Sequence, residues 1–277
     1  MIEKSNTWFV KLFDDLERGL RIYCDVDEED FKGKMSQKYF FQDGIFQSDN
    51  EIFRVIVKAI FFSGVKAEQI EKHMPAIEKE LFDFQRVVNY SISEKREIKR
   101  PGGRVGYSQK SEAVFDAAEM ILKIKQEYGS FANYLKKEHE IIDYNPKLDQ
   151  LKGFIDDLII RFDRVQLITA LHITTMLGFN TIKPDIVITR LFTRLGLINQ
   201  KGTKLRESDI WEIVRLGQRF VDATGYPASR IDNILVKYGA MGETELFDFK
   251  ILDGICREAK PKCESCLVVD RCSYSLS

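Results

Sequence analysis

The stretch Cys256-Arg257-Glu258-Ala259-Lys260-Pro261-Lys262-Cys263-Glu264-Ser265-Cys266-Leu267-Val268-Val269-Asp270-Arg271-Cys272-Ser273-Tyr274 places four cysteines at the spacing C-x6-C-x2-C-x5-C. Four thiols within seventeen residues can close around one soft metal centre, because cysteine sulfur is the preferred ligand of iron-sulfur clusters and of structural zinc. Disulfide pairing is the competing reading. The chain holds one further cysteine, Cys24, and no N-terminal apolar signal segment, so it is expected in a reducing compartment where thiols persist. The spacing argues for metal binding by Cys256, Cys263, Cys266 and Cys272, and leaves zinc and iron both open.

A length of 277 residues suffices for about two domains, and 44% apolar with 12% aromatic content is that of a globular protein. Lys plus Arg (42) against Asp plus Glu (43) gives a net charge of -1. Such a balance excludes a uniformly basic polyanion binder and requires any nucleic-acid contact to use a segregated basic face. The clearest basic run is Lys95 to Lys110, with Lys95, Arg96, Lys99, Arg100, Arg104 and Lys110 against Glu94 and Glu97. Pro101, Gly102, Gly103 and Gly106 mark it as an exposed loop between helices, so a solvated linker is the plain alternative. No stretch approaches the roughly eighteen apolar residues of a membrane span, and no membrane partner is expected.

The apolar periodicity is helical almost throughout. Ser48-Asp49 opens a run from Ile52 to Phe62 that ends at Gly64, and Ser108 precedes an amphipathic stretch to Tyr128 that Gly129 stops. Ser130 is placed to cap a short helix holding Phe131, Tyr134 and Leu135. Ser208 leads a helix with Trp211, Val214, Leu216 and Phe220, ended by Gly225 and Pro227. Alternating strand patterns are missing, so the chain is expected to be all-α. His73, His139 and His172 form no ligand spacing and read as structural.

The cysteine loop, with its Lys-Pro-basic-Cys entry and Asp-x-Cys-x-Tyr exit, resembles the iron-sulfur loop of the endonuclease III family of DNA repair glycosylases, in the helix-hairpin-helix superfamily. Gly178, then Asp185, Arg190, Arg194, Leu195, Gly196 and Leu197, resemble the family segment F-G-x6-D-x-x-V-x-R-x-x-x-R-L-G-L. Gly106-Tyr107-x-x-Lys110 is similar to the family's G-[FY]-x-x-K-A helix start, and Phe62-Ser63 to its L-S-x-Q-T turn. Glu127-Tyr128-Gly129-Ser130-Phe131-x-x-Tyr134-Leu135 resembles a segment of the 3-methyladenine glycosylases of the same superfamily.

The resemblance implies a six-helix barrel over residues 49–182 and a discontinuous helical domain of residues 1–48 and 183–277, with the cluster loop at 253–274 and a cleft between the two. It implies a [4Fe-4S] cluster on the four cysteines and makes Asp185 the catalytic carboxylate. Basic side chains of the loop, Arg257, Lys260, Lys262 and Arg271, would face the DNA backbone, as would Arg104 and Lys110 further upstream. Two departures matter. The hairpin motif L-P-G-V-G-x-K-T-A corresponds to Phe162-Asp163-Arg164-Val165-Gln166-Leu167-Ile168-Thr169-Ala170, with both glycines replaced. Glycine there permits positive φ and a close backbone approach to phosphate, so Arg164 and Gln166 would have to reach the backbone by side chain, and an ordinary amphipathic helix from Leu158 to Met176 is the alternative. The family lysine is also missing, since Leu167 or Ile168 holds its position and neither forms a Schiff base.

Breaking an N-glycosidic bond builds positive charge on the sugar, which a buried anion stabilises. Pro184 at the first position of a helix running to Gly196 would put Asp185 in the first turn, where the helix dipole favours its ionised form; a plain capping role is the alternative. A flipped base also needs apolar or aromatic neighbours, for which Tyr39, Phe40, Phe41, Phe46, Phe61 and Phe62 are candidates, while Val65 stands where the family has its space-filling glutamine. The expectation is a monomeric, cytoplasmic and nucleoid-associated prokaryotic protein. It would be a monofunctional glycosylase of base excision repair, acting on double-stranded DNA with a damaged or modified base. A non-catalytic DNA-binding or damage-sensing protein, a glycosylase for modified bases of foreign DNA, and a zinc-stabilised regulator are the other readings.

Overall fold

The computed structural model describes residues 4–38, 48–65, 67–200, 205–242, 244–246, 249–251 and 253–274. The candidate aromatics Tyr39, Phe40, Phe41 and Phe46 lie outside them. Helices dominate in chain order: α1 (Asn6–Tyr23), α2 (Glu28–Lys38), α3 (Asp49–Phe62), α4 (Ala67–Glu71), α5 (Met74–Leu81), α6 (Phe84–Val88), α7 (Ile92–Lys99), α8 (Ser108–Tyr128), α9 (Phe131–His139), α10 (Leu148–Arg161), α11 (Leu167–Met176), α12 (Ile186–Arg194), α13 (Glu207–Thr224) and α14 (Ala228–Gly239). A short antiparallel ribbon, β1 (Thr244–Leu246) and β2 (Phe249–Ile251), pairs Thr244 with Ile251. Three residues per strand are too few to show an alternating pattern, which is why the sequence expectation contained no strand. No described helix is long and apolar enough to cross a membrane.

The chain divides into two compact units, residues 1–42 with 180–277, and residues 43–179. In the first, α1 presents Phe9, Leu12, Phe13, Leu16 and Leu20 at helical spacing, all fully buried. Phe9 meets Phe220 of α13 edge-on at 4.9 Å, and Phe220 stacks on Phe192 of α12 at 5.9 Å. Each such side chain contributes roughly 1.5–3 kcal/mol on burial. In the second unit α3 buries Ile52, Phe53, Ile56, Val57, Ile60 and Phe61, and packs along α8. Phe154 of α10 joins Phe131 and Phe179 at 6.2 and 5.9 Å.

Helix starts follow local chemistry. Ser48 caps α3, and Glu51 returns a bond to the Ser48 N–H at 2.8 Å, a complete capping box. Ser130 caps α9 by accepting from the Asn133 N–H at 3.1 Å. Ser208 does not lead its helix: α13 begins at Glu207, and Asp209 reaches back to accept from the Arg206 N–H at 3.2 Å and its guanidinium at 2.8 and 3.0 Å. That pairing holds the Asp209 carboxyl below its ordinary pKa.

Candidate active site and thiol centre

Asp185 is the N-cap of α12, one residue ahead of the first-turn position expected from Pro184. Its Oδ1 accepts the N–H groups of Val187 and Ile188 at 2.8 and 2.9 Å. Capping therefore occupies one oxygen, and Oδ2 has no hydrogen-bond partner among the described residues. Burial raises the Asp185 pKa, opposed by the Ile188 N–H, the Lys183 charge, the Val187 N–H and Arg190. The capping and catalytic readings are thus compatible: the helix terminus orients the carboxylate and leaves one oxygen for a developing cation.

The helix that starts at Asp185 ends against the cysteine loop. Arg194 donates to the carbonyls of Cys256, Arg257 and Glu258 at 3.3, 2.8 and 3.0 Å and to Cys256 Sγ at 3.4 Å, and it stacks on Tyr274 at 4.3 Å. One turn earlier, Arg190 donates to Gly239 O at 2.7 Å. From α14, the Tyr238 hydroxyl donates to Cys266 Sγ at 3.2 Å. The loop passes so near the end of α14 that a Cβ on Gly254 would lie 2.7 Å from the carbonyl oxygens of Lys237 and Tyr238, so only glycine fits without a backbone shift. Sequence reading quoted Arg190 and Arg194 without assigning them this bolting role, and it passed over Tyr238. The carbonyl and sulfur atoms that their side chains bond lie 28 to 66 residues away, beyond any local pattern.

Cys256, Cys263, Cys266 and Cys272 all line one small cavity, with Ile255, Pro261, Val269 and Tyr274 in its wall. None of the five cysteines is in a disulfide. Burial raises the thiol pKa values of Cys256 and Cys266, and the bonds from Arg194 and Tyr238 respectively pull them back down. As the side chains stand, no three thiol, carboxylate or imidazole groups among the described residues are gathered closely enough to hold a single metal ion. The donor set suits a thiolate-bound centre, and the two donors aimed at sulfur suit anionic ligands.

The hairpin stretch is not one helix from Leu158 to Met176. α10 stops at Arg161 and α11 starts at Leu167. Between them Arg164 takes φ +60, the left-handed conformation usually left to glycine, and Val165 N–H closes onto Phe162 O at 3.2 Å. Gln166 is the N-cap of α11, and no side chain caps that terminus. The chain turns here without the two glycines, and among the described residues the first-turn N–H groups of α11 have no side-chain partner.

The expected DNA-contact residues sit differently. Lys110 turns inward and donates to the carbonyls of Ile60, Phe61 and Ser63 at 2.6, 3.0 and 2.6 Å, closing the C-terminus of α3 with all three of its donors. Burial, then the nearby Arg164 charge, lower its pKa. Arg104 pairs with the buried Glu80 at 2.9 Å, beside Arg86. The rest of the basic run is neutralised in the same way, Lys95 by Glu119, Lys99 by Glu112 and Arg100 by Glu97; Arg96 alone has no partner among the described residues. Only part of the run is loop, since α7 covers its start and α8 its end. In the cysteine loop Arg257 pairs with Asp253 and Arg271 with Asp15, both at 2.7 Å, while Lys262 lies over the Tyr23 ring and donates to its hydroxyl. Lys260 keeps a solvent-facing side chain on a left-handed backbone (φ +51). Phe61 is core; His73 lies edge-on to Tyr107 at 5.2 Å, and His139 bonds the Tyr134 hydroxyl at 3.1 Å.

This helical arrangement is similar to that of several solved DNA glycosylases. The 8-oxoguanine glycosylase/lyase of Methanocaldococcus jannaschii, solved with 15mer DNA containing 8-oxoguanine, superposes with a TM-score of 0.52 at 16% identity, covering 81% of this chain and 95% of that one. The 8-oxoguanine DNA glycosylase Tm1821 of Thermotoga maritima gives 0.50 at 17% identity over 82% and 95%. A trapped endonuclease III–DNA covalent intermediate gives 0.51 at 13% identity over 94% and 97%. No protein-family model matches the chain, and no curated protein sequence does.

Proposed function

We propose that this protein is a DNA glycosylase of base excision repair, hydrolysing the N-glycosidic bond of a damaged or modified base flipped out of duplex DNA. The observation that carries this reading is the geometry of Asp185: a half-buried carboxylate fixed at a helix N-terminus through one oxygen, with the other unpartnered among the described residues. A sugar cation developing beside such a group meets a preorganised negative charge. With Leu167 and Ile168 at the start of α11, the hairpin offers no amine for a Schiff base, so the reaction is hydrolysis that leaves an intact abasic site. Cys256, Cys263, Cys266 and Cys272 would hold a [4Fe-4S] cluster, supported by the thiol-only donor set and by Arg194 and Tyr238 bonding to two of the sulfurs. Such a cluster, when bound, serves as a redox-capable cross-link of the loop; α12, and so the aim of Asp185, is tied to that loop through Arg194.

Asp185→Asn tests the assignment. Asparagine is as good an N-cap as aspartate, so the melting temperature should change little while single-turnover base release from a responsive substrate falls about 10²-fold to 10³-fold. The substrate is found by screening modified duplexes for heat-labile abasic sites. A variant that releases base at the wild-type rate would sink the catalytic role of Asp185, and strand cleavage without heat or alkali would overturn the hydrolytic reading.

A further inference from the structure

A second carboxylate stands behind Asp185. Asp232, on α14, accepts the backbone N–H of Lys183 through Oδ1 at 2.9 Å. Two residues on, the Asp185 N–H bonds Lys183 O at 2.8 Å, closing a tight turn around Pro184. The approach to the catalytic carboxylate is therefore gripped by a side chain 49 residues away in sequence. The Lys183 ammonium acts on both carboxylates, and the Asp185 charge acts on Asp232. α1, α12 and α13 pack against α14, yet apart from Asp185 none of their charged groups acts on Asp232, nor does another charge of α14 itself.

We propose that Asp232 is a positioning residue for base release, holding the Lys183–Asp185 turn from α14 and forming with Asp185 one proton-linked pair around Lys183. The proposal rests on Asp185 as the carboxylate that faces the sugar. Burial first, and then the Asp185 charge, raise Asp232 to about 7, against the Lys183 N–H and ammonium. Asp232 thus changes charge in the neutral range. Below that pH it is neutral and the pair carries the single charge of Asp185; above it the pair carries a second negative charge around Lys183. Additional negative charge favours a transition state with a cationic sugar, so the chemical step should accelerate as Asp232 loses its proton.

The test is the pH dependence of single-turnover base release for wild type, Asp232→Asn, Lys183→Gln and Asp185→Asn, with a melting temperature for each. Wild type should rise with a midpoint near 7. Asp232→Asn keeps an acceptor for the Lys183 N–H, so it should fold, lose the rise, and run about tenfold slower than wild type on the alkaline side. Lys183→Gln removes the cation that lowers both carboxyl pKa values, so its rise should move to higher pH. Asp185→Asn should stay about 10²-fold to 10³-fold slower than wild type at every pH. An Asp232→Asn profile identical to wild type, or lowered by one factor at every pH, overturns the proposal while leaving Asp185 intact. Full activity in Asp185→Asn overturns the reading beneath it.

Discussion

The loop of residues 253–274 and the hairpin of residues 162–166 are both connections between helices, yet opposite kinds of interaction hold them. Side chains hold the loop: Arg194 on three of its carbonyls, Arg271 on Asp15, Arg257 on Asp253, Tyr238 on Cys266, and four thiols around one cavity. Backbone holds the hairpin, through one short hydrogen-bonded turn, a left-handed residue and the buried anchors Phe162 and Val165. Where side chains carry the structure, a substitution removes a donor or a ligand and leaves buried partners unsatisfied. Where backbone angles carry it, residue identity can drift as long as the angles stay reachable. Loop substitutions should accordingly be severe, and hairpin substitutions mild.

The largest effect is expected at the thiols. Cys266→Ser removes one of the four proposed thiolate ligands while leaving a hydroxyl to accept from Tyr238, so protein purified without oxygen should lose most of the roughly four irons expected per chain. The 253–274 segment should become the first site of limited proteolysis, since without its centre the loop is held by Arg194 and its ion pairs but no longer cross-linked through its thiols. Cys24→Ser, outside the cavity, should keep the iron. Stoichiometric zinc without iron in freshly isolated wild-type protein would overturn the cluster, although the loop would remain side-chain held.

Lys110 sharpens the comparison, because it lies near the hairpin and behaves like a residue of the loop. Its ammonium closes α3, so Lys110→Met strips three carbonyls of a charged donor at once. A cost of about 2–3 kcal/mol is expected, near the upper end for a hydrogen bond to a charged group. The salt dependence of DNA affinity should stay as it was. If Lys110 instead leaves α3 to neutralise a phosphate, the slope of log K against log salt falls by about 0.9 and stability changes little.

What sequence showed and what it hid divide along the same line. The thiol spacing is a pattern of side-chain chemistry within one short segment, and the caps Ser48 and Ser130 are local as well, so these were legible. Asp185 was singled out by motif as a candidate, but its cap position depends on where α12 begins, a boundary that shifts by one residue with the angles of Pro184 and Asp185. Arg104 and Lys110 were candidates for DNA contact, with a solvated linker as the alternative for the whole run, because the partners that engage the run, Glu80, Glu112 and Glu119, belong to α5 and α8 and the carbonyls that hold Lys110 close α3. Asp232 was invisible for the same reason: on α14 it is one more polar residue of an amphipathic helix until Lys183 is brought beside it. A continuous helix from Leu158 to Met176 stayed open beside the hairpin because replacing both glycines removed the local sign of a turn; the break between α10 and α11 decides for the turn.

That turn is also where the smallest and most discriminating effect is expected. Arg164 holds φ +60, a region that costs a residue with a Cβ roughly 1–2 kcal/mol. Arg164→Gly relieves this strain but adds about 0.5–1 kcal/mol of chain entropy to be lost on folding. The net expectation is a gain of roughly 0.5–1 kcal/mol, or about 1–4 °C in melting temperature for a chain of this size. Arg164→Ala keeps most of the strain and deletes the guanidinium, whose nearest carboxylate, Asp163, is 3.9 Å away at the surface and adds little. If the turn is held by its backbone, the glycine variant is at least as stable as wild type and the alanine variant stays within about 0.5 kcal/mol of it. DNA affinity separates the remaining role. A guanidinium that has taken over the phosphate contact would make both variants bind with a salt slope lower by about 0.9. A hairpin that still contacts phosphate through the N–H groups opening α11 would leave both slopes unchanged, and the glycine variant, free to bring that backbone closer, would bind more tightly than the alanine one.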